Sequence, residues 1–176
     1  MKSYKTGIFG DLFFVITPSA VIASAVLWLV LTLIAIYLLD VAPVAAVIGS
    51  LLAVALHWMS ELWHQKGHAV AARRTGYPMV GVRLWTLLGA SLYPRDEPAL
   101  SADVHIQRAL GGPIASLILV PIALVLLFAS NSAGGVPLLL AKFFLLENTF
   151  VFFLGAFLPL GFTDGSTLLQ YWGKRS

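Results

Sequence analysis

The chain has no cysteine among its 176 residues. Disulfides and thiolate metal ligands are therefore excluded, and any metal must be held by His, Asp or Glu. Charge is scarce too. Asp, Glu, Lys and Arg make up 11% of the chain, against about 25% in soluble domains. With 59% hydrophobic residues and a mean hydropathy of +0.90, this is the composition of an integral membrane protein. Internal repeats and low-complexity linkers are absent, so residues 1–176 are expected to form one membrane-embedded domain. A short apolar core with a small-residue cleavage site is also absent, so the first apolar run is expected to be retained. The basic residues form no stripe with interleaved aromatics, which argues against nucleic acid as a partner.

What remains is apolar runs. Four are long enough for a bilayer, which takes about 20 residues each: approximately Thr17–Leu39, Val41–Trp63, Ile114–Ala129 and Pro137–Leu160. Lys2 and Lys5 precede the first, five arginines from Arg73 to Arg108 lie between the second and third, and Lys174 and Arg175 follow the fourth. The two opposite loops, around Asp40 and around Asn131–Val136, have no Lys or Arg, and Lys142 can snorkel outward. The positive-inside rule then places both termini in the cytoplasm. The expected setting is a bacterial or archaeal cell membrane.

The second run is expected to continue as one helix to about Arg74, where Gly76 and Pro78 stop it. Val80–Pro94 is rich in β-branched and aromatic residues and too short to span, so it reads as one or two strands or a hairpin. Ser101 is placed to N-cap a short helix, which Gly111-Gly112-Pro113 would then break or bend on the way into the third span. The predicted fold is all-α: about four transmembrane helices, with a short β-hairpin or re-entrant segment between the second and third.

His57, Glu61, His64 and His68 are spaced four, three and four residues apart, one helical face over three turns. Polar residues are expensive in a membrane helix, so an aligned stripe points inward. For His57 alone, a hydrogen-bonded interior histidine is the simpler reading. His64-Gln65-Lys66-Gly67-His68 is different, because it has the spacing of the zinc motif H-E-x-x-H with Gln for Glu. Imidazoles four apart on a helix converge on one metal, and the Glu of the intact motif is the general base that takes a proton from the attacking water. Gln65 has nearly the shape of Glu but cannot accept a proton.

A catalytic zinc takes three protein ligands. The candidates for the third are Asp164, Glu61, Glu147, His57 and His105. Asp164 follows the cytoplasmic end of the fourth span, which matches the depth of the histidine pair. Glu147 lies roughly 15–20 Å away along the membrane normal. Glu61 is one turn before Gln65 and leans toward its own helix N-terminus, as a partner for His64 or a substitute base.

Three separated segments together resemble the site-2 proteases, the intramembrane zinc metalloproteases. His64-Gln65-Lys66-Gly67-His68-Ala69, with the basic helix end Ala71-Ala72-Arg73-Arg74 and then Gly76-Tyr77-Pro78, is similar to the family's H-E-x-G-H-A segment. Gly112-Pro113-Ile114-Ala115-Ser116 is similar to its G-P-x-A-N segment, and Leu158-Pro159 with Asp164-Gly165 to its N-x-x-P…D-G segment. The resemblance runs from His64 to Gly165. It implies zinc held by His64, His68 and Asp164, Gln65 at the position of the catalytic Glu, and Gly112, Pro113, Ser116 and Ala156 at positions that bind substrate. It also implies a hairpin to whose edge an extended transmembrane or membrane-adjacent protein segment adds as a strand.

The departures fall on functional positions. Gln65 replaces the base, and Ser116 and Ala156 stand where the family has asparagines, so Gln65 is not an isolated change. Two functions follow from the resemblance: a zinc metallopeptidase acting on transmembrane segments, with Gln65 or Glu61 in an unusual role, or a non-catalytic zinc-binding relative that binds or sequesters membrane-protein helices. A third class, an ion carrier using the His57–His68 stripe, is disfavoured by the lack of an inverted repeat.

Overall fold

The structure, a computed structural model, describes residues 4–5 and 12–174. Lys2 and Arg175, used above for orientation, lie outside the described residues, as does the side chain of Lys5. The elements run β1 (Tyr4–Lys5), β2 (Phe13–Ile16), α1 (Pro18–Tyr37), α2 (Pro43–Arg74), β3 (Gly81–Trp85), β4 (Leu88–Leu92), α3 (Ala102–Ser130) and α4 (Gly135–Leu146). A π-helical stretch, Glu147–Leu154, and a 3₁₀ turn, Gly155–Phe157, continue α4, and α5 (Asp164–Tyr171) follows. Four helical segments are long and apolar enough to cross a membrane: Pro18–Tyr37, Pro43–Arg74, Ala102–Ser130 and Gly135–Phe157. The outward faces of α1 and α3 are covered with exposed Val, Leu, Ile and Phe, the pattern of a lipid-facing bundle. The protein is an integral membrane protein.

Helix starts and stops follow local chemistry. Thr17 caps α1, accepting from the Ala20 amide, with Pro18 in the first turn, where a missing N–H costs nothing. α2 also opens on a proline, Pro43, and ends with Arg73 and Arg74 against its carbonyl terminus. Gly76, at φ 81, turns the chain away toward β3.

The hairpin expected within Val80–Pro94 is β3–β4, with Trp85 paired to Leu88 across the turn. Its sheet is larger than the sequence reading allowed. β2, from before the first span, pairs parallel to β3, and the order is β1-β2-β3-β4. Phe14, Val82 and Leu84 pack with Ala72 and Met79 in a small apolar core between the sheet and the end of α2. With β1 at one end of the sheet, β4 is the opposite edge strand.

The third span also differs from expectation. Gly111-Gly112-Pro113 neither breaks nor starts a helix; α3 runs through it without interruption, and Ser101 supplies no side-chain cap. Pro113 removes one backbone donor from a 29-residue helix. Its neighbours here are tightly packed, so the loss is local.

Candidate metal centre

His64 and His68 lie on the inward face of α2 and are buried, their ring centroids 4.7 Å apart. Both rings are oriented through Nδ1. That of His64 lies 2.9 Å from Ser116 Oγ, and that of His68 lies 2.8 Å from the Arg108 carbonyl. A carbonyl accepts only, so Nδ1 of His68 carries the proton and Nε2 presents a lone pair. The Gly112 amide also approaches His68 Nδ1, at 3.3 Å; the shorter carbonyl contact fixes the tautomer. The Ser116 hydroxyl can accept from Nδ1 of His64, an arrangement that leaves both Nε2 atoms free to bind a metal.

Asp164 comes to them as the first residue of α5. Thr163, in extended conformation before it, bonds the Leu158 carbonyl and accepts from the Leu160 amide at 3.2 Å, folding the 158–163 loop over the helix start. Asp164 Oδ2 lies 3.3 Å from His64 Nε2, and Oδ1 lies 3.4 Å from His68 Nε2. Burial alone would raise the Asp164 carboxyl. In the metal-free site, where Nε2 is protonated rather than offered to an ion, the facing charge of His68 and the bonds from both rings outweigh burial and hold the group at about 2.

Three features fit this trio to a zinc-sized ion. Its ligand atoms lie within 4.8 Å of one another, and no other group of three His or acidic residues does so among the described residues. A tetrahedron with about 2.0–2.1 Å from centre to corner has an edge of about 3.4 Å, which the two N···O separations match. The third feature is Gly112. A Cβ built there would fall on both Nε2 atoms at once, equally deep inside van der Waals contact with each. The absent side chain leaves the space in front of the two lone pairs open. His64, His68 and Asp164 can bind a metal.

Gln65 is buried and points to the hairpin. Its amide donates to Glu61 Oε1 at 2.9 Å and to the Gly89 carbonyl at 3.1 Å, and its carbonyl accepts from Ser91 Oγ at 2.9 Å. Glu61 Oε1 also accepts from the Gly89 amide at 2.7 Å. Glu61, with 2% exposure, thus meets Gln65 and the hairpin, and the partner of His64 is Ser116.

The other candidates for the third ligand lie elsewhere. His57 and Glu147 pair with each other, Nδ1 to Oε1 at 2.5 Å, and His57 Nε2 reaches the Leu87 carbonyl at 2.7 Å. His105 stacks on Tyr171, centroids 4.1 Å apart. Pro113 and Ser116 are packed in α3, and Ala156 is buried in the 3₁₀ turn.

The trio opens on a cleft of about 730 Å³ walled by β4, the π-helical stretch and the 158–163 loop, which Glu61, Gln65 and Ala156 also line. Arg108, which also lines the cleft, binds Glu97 through both terminal nitrogens, at 2.5 and 3.1 Å, and lies 4.0 Å from the Tyr93 ring centre. Its backbone carbonyl orients His68. Sequence reading missed Arg108, Gly89 and Ser91. Arg108 carried one usable signal, as a charged residue four before the Gly112 motif on a helix; the other two carried none.

No protein-family model matches the sequence, and no curated protein matches it. Among solved structures, the chain is similar to the site-2 protease from Methanocaldococcus jannaschii, with a TM-score of 0.60 at 16% identity, over 96% of this chain and 70% of that one. The likeness is one of fold: the chain has a site-2 protease-like scaffold.

Proposed function

We propose that this protein is a zinc-binding, site-2 protease-like membrane protein that takes extended segments of other membrane proteins into its cleft without hydrolysing them. The observation that carries the reading is the hydrogen bonding of Gln65. Both functional ends of its amide are engaged with Glu61, Gly89 and Ser91. The residue at the position of the general base therefore serves as a tie between α2 and β4. Losing a general base typically costs about 10²–10⁴-fold in rate.

His64, His68 and Asp164 would hold the zinc, with Ser116 and the Arg108 carbonyl fixing the two rings. Zinc, when bound, would supply Lewis acidity to an oxygen in the cleft. The cleft and the edge of β4 would hold a client backbone in extended form, by hydrogen bonds that do not depend on its side chains. The distribution of Lys and Arg supports a site near the cytoplasmic face with both termini in the cytoplasm, and residues 1–176 would then act as one membrane domain.

A second reading, peptide hydrolysis with Glu61 as the base, has one observation in its favour: Glu61 lines the same cleft. The two readings separate in one experiment. The protein is purified in detergent, its zinc content is measured, and binding and cleavage of fluorescent single-span model peptides are followed. Bound zinc with peptide binding and no cleavage is the expected result. Cleavage by the unaltered protein that is lost in Glu61→Ala would establish the enzyme. A zinc content that is negligible and unchanged in His64→Ala would overturn both.

A further inference from the structure

Three residues of α2, spaced four apart, meet three residues of the hairpin spaced two apart. His57 meets the Leu87 carbonyl, Glu61 meets the Gly89 amide, and Gln65 meets the Gly89 carbonyl and the Ser91 hydroxyl. The two periods match physically. Four residues of α-helix rise about 6.0 Å and two residues of strand about 6.6–6.8 Å. Successive turns of α2 therefore stay level with successive outward-facing positions of the hairpin. At Gly89 the imitation of a neighbouring strand is complete, because a carboxylate takes the N–H and an amide N–H takes the C=O. A Cβ at residue 89 would push Glu61 Oε1 and Gln65 Nε2 out of these positions, so the clasp in this form needs glycine there.

From this geometry we infer that Glu61 and Gln65 are positioning residues that close the Gly89 end of the β4 edge and so set the register of the client strand. The inference rests on the proposed docking of clients at that edge. An antiparallel ladder turns alternate residues outward. With Gly89 taken, the next outward backbone groups belong to Ser91. A client strand is steered to the Ser91–Tyr93 end, beside Arg108 and the metal ligands, and kept off the Gly89 end deeper in the bundle.

The clasp also makes residues 61 and 65 interdependent. Gln65→Glu alone sets two carboxylates at hydrogen-bonding distance and removes the donor to the Gly89 carbonyl. Exchanging the two, Glu61→Gln with Gln65→Glu, keeps one charge and rebuilds three of the four bonds. Glu61 Oε1 takes both N–H groups in the native clasp, so the amide at 61 must turn to divide them, its oxygen accepting from Gly89 and its nitrogen donating to 65, while Ser91 still donates to 65. Only the Gly89 carbonyl goes unpaired.

Two measurements on the full chain in detergent micelles test this. The first is hydrogen exchange of the 88–92 segment. Gln65→Glu is expected to speed exchange about 10-fold or more, and the exchanged pair to recover most of the protection. Ser91→Ala, which removes one bond and no charge, gives a smaller effect of the same sign. The second uses the absence of native cysteine. Leu88→Cys and Leu92→Cys are each tested for disulfide trapping of a single-span model peptide carrying one cysteine. Trapping at Leu92→Cys is expected to exceed that at Leu88→Cys about 10-fold, and Glu61→Ala/Gln65→Ala to level the two. Unchanged exchange in Gln65→Glu, or exchange that the reciprocal change does not recover, would overturn the clasp. Equal trapping at both cysteines in the otherwise unaltered chain would overturn the register. Accelerated exchange with no trapping at either position would overturn client docking at this edge while leaving the clasp standing.

Discussion

His57 Nδ1 lies 2.5 Å from Glu147 Oε1, both side chains are buried, and the other carboxylate oxygen of Glu147 has no hydrogen-bond partner. This pair joins α2 to the first turn of the π-helical stretch. One turn along, Asn148 repeats the connection by donating to Ser60 at 3.0 Å. Removing one partner strands the other in a dry bundle. His57→Leu or Glu147→Leu alone should each cost about 3–5 kcal/mol, whereas the double replacement should cost much less than the sum. Thermal unfolding in detergent measures all three. Additive losses would mean that the two groups do not depend on each other.

Gly112→Ala should abolish high-affinity zinc binding. The methyl group would displace both imidazoles from the space between them, and affinity should fall at least about 100-fold. Gly173→Ala, where a Cβ meets nothing within 4 Å, is the control and should bind zinc normally. Titration with a fluorescent zinc indicator reports both.

Ser116→Ala should weaken zinc binding about 10–100-fold, because it frees the His64 ring without removing a ligand. His64→Ala, His68→Ala and Asp164→Asn should each do more. The ordering matters most: Ser116→Ala milder than any ligand variant, as measured by competition against chelators of graded affinity.

In metal-stripped protein, Asp164 should contribute about 2 kcal/mol of stability through its lowered pKa. The sign follows from the direction of the shift. Because the folded value, about 2, lies below the unfolded one, the contribution is present above about pH 4. It fades as pH falls through about 2. Stability curves of the unaltered chain and Asp164→Asn should diverge in that window and converge below it. A constant gap at all pH values would show that the carboxylate acts by shape alone.

The convergence of His64, His68 and Asp164 was legible in the sequence because each part of it follows a local rule. His64 and His68 obey helical spacing, and Asp164 was selected by depth along a membrane-crossing chain, a quantity that residue counting gives directly. The four spans and the hairpin were legible for the same reason. The pairing of Phe13–Ile16 with β3 was not, since Phe13–Ile16 directly precedes an apolar run and its partner lies beyond two helices. The continuity of α3 through Gly111-Gly112-Pro113 was hidden because local propensity argues for a break and only packing against α2 overrides it. The partners of Gln65 and Glu61 were hidden most deeply, because they depend on how the hairpin lies along α2.

The crossing of α2 and α3 has a mechanical consequence. A Cβ at Gly67 would strike the Gly111 carbonyl, and one at Gly111 would meet Gly67 O and the Ala71 side chain. The two backbones are in contact there, with no side chain between them to act as a bearing. That contact lies one residue from His68 on one helix and one residue from Gly112 on the other, so the histidines and their facing glycine sit on a single stiff frame. A side chain at either glycine would force the two helices apart. Across the cleft, the π-helical stretch is itself tied to α2 through His57–Glu147 and Ser60–Asn148, so among the described residues the part of the opposite bank without such ties to α2 is the 158–163 loop that leads to Asp164. On the proposed reading, two ligands would sit on the α2–α3 frame and the third would be carried in by the 158–163 loop, so a guest that displaced the loop would also displace Asp164.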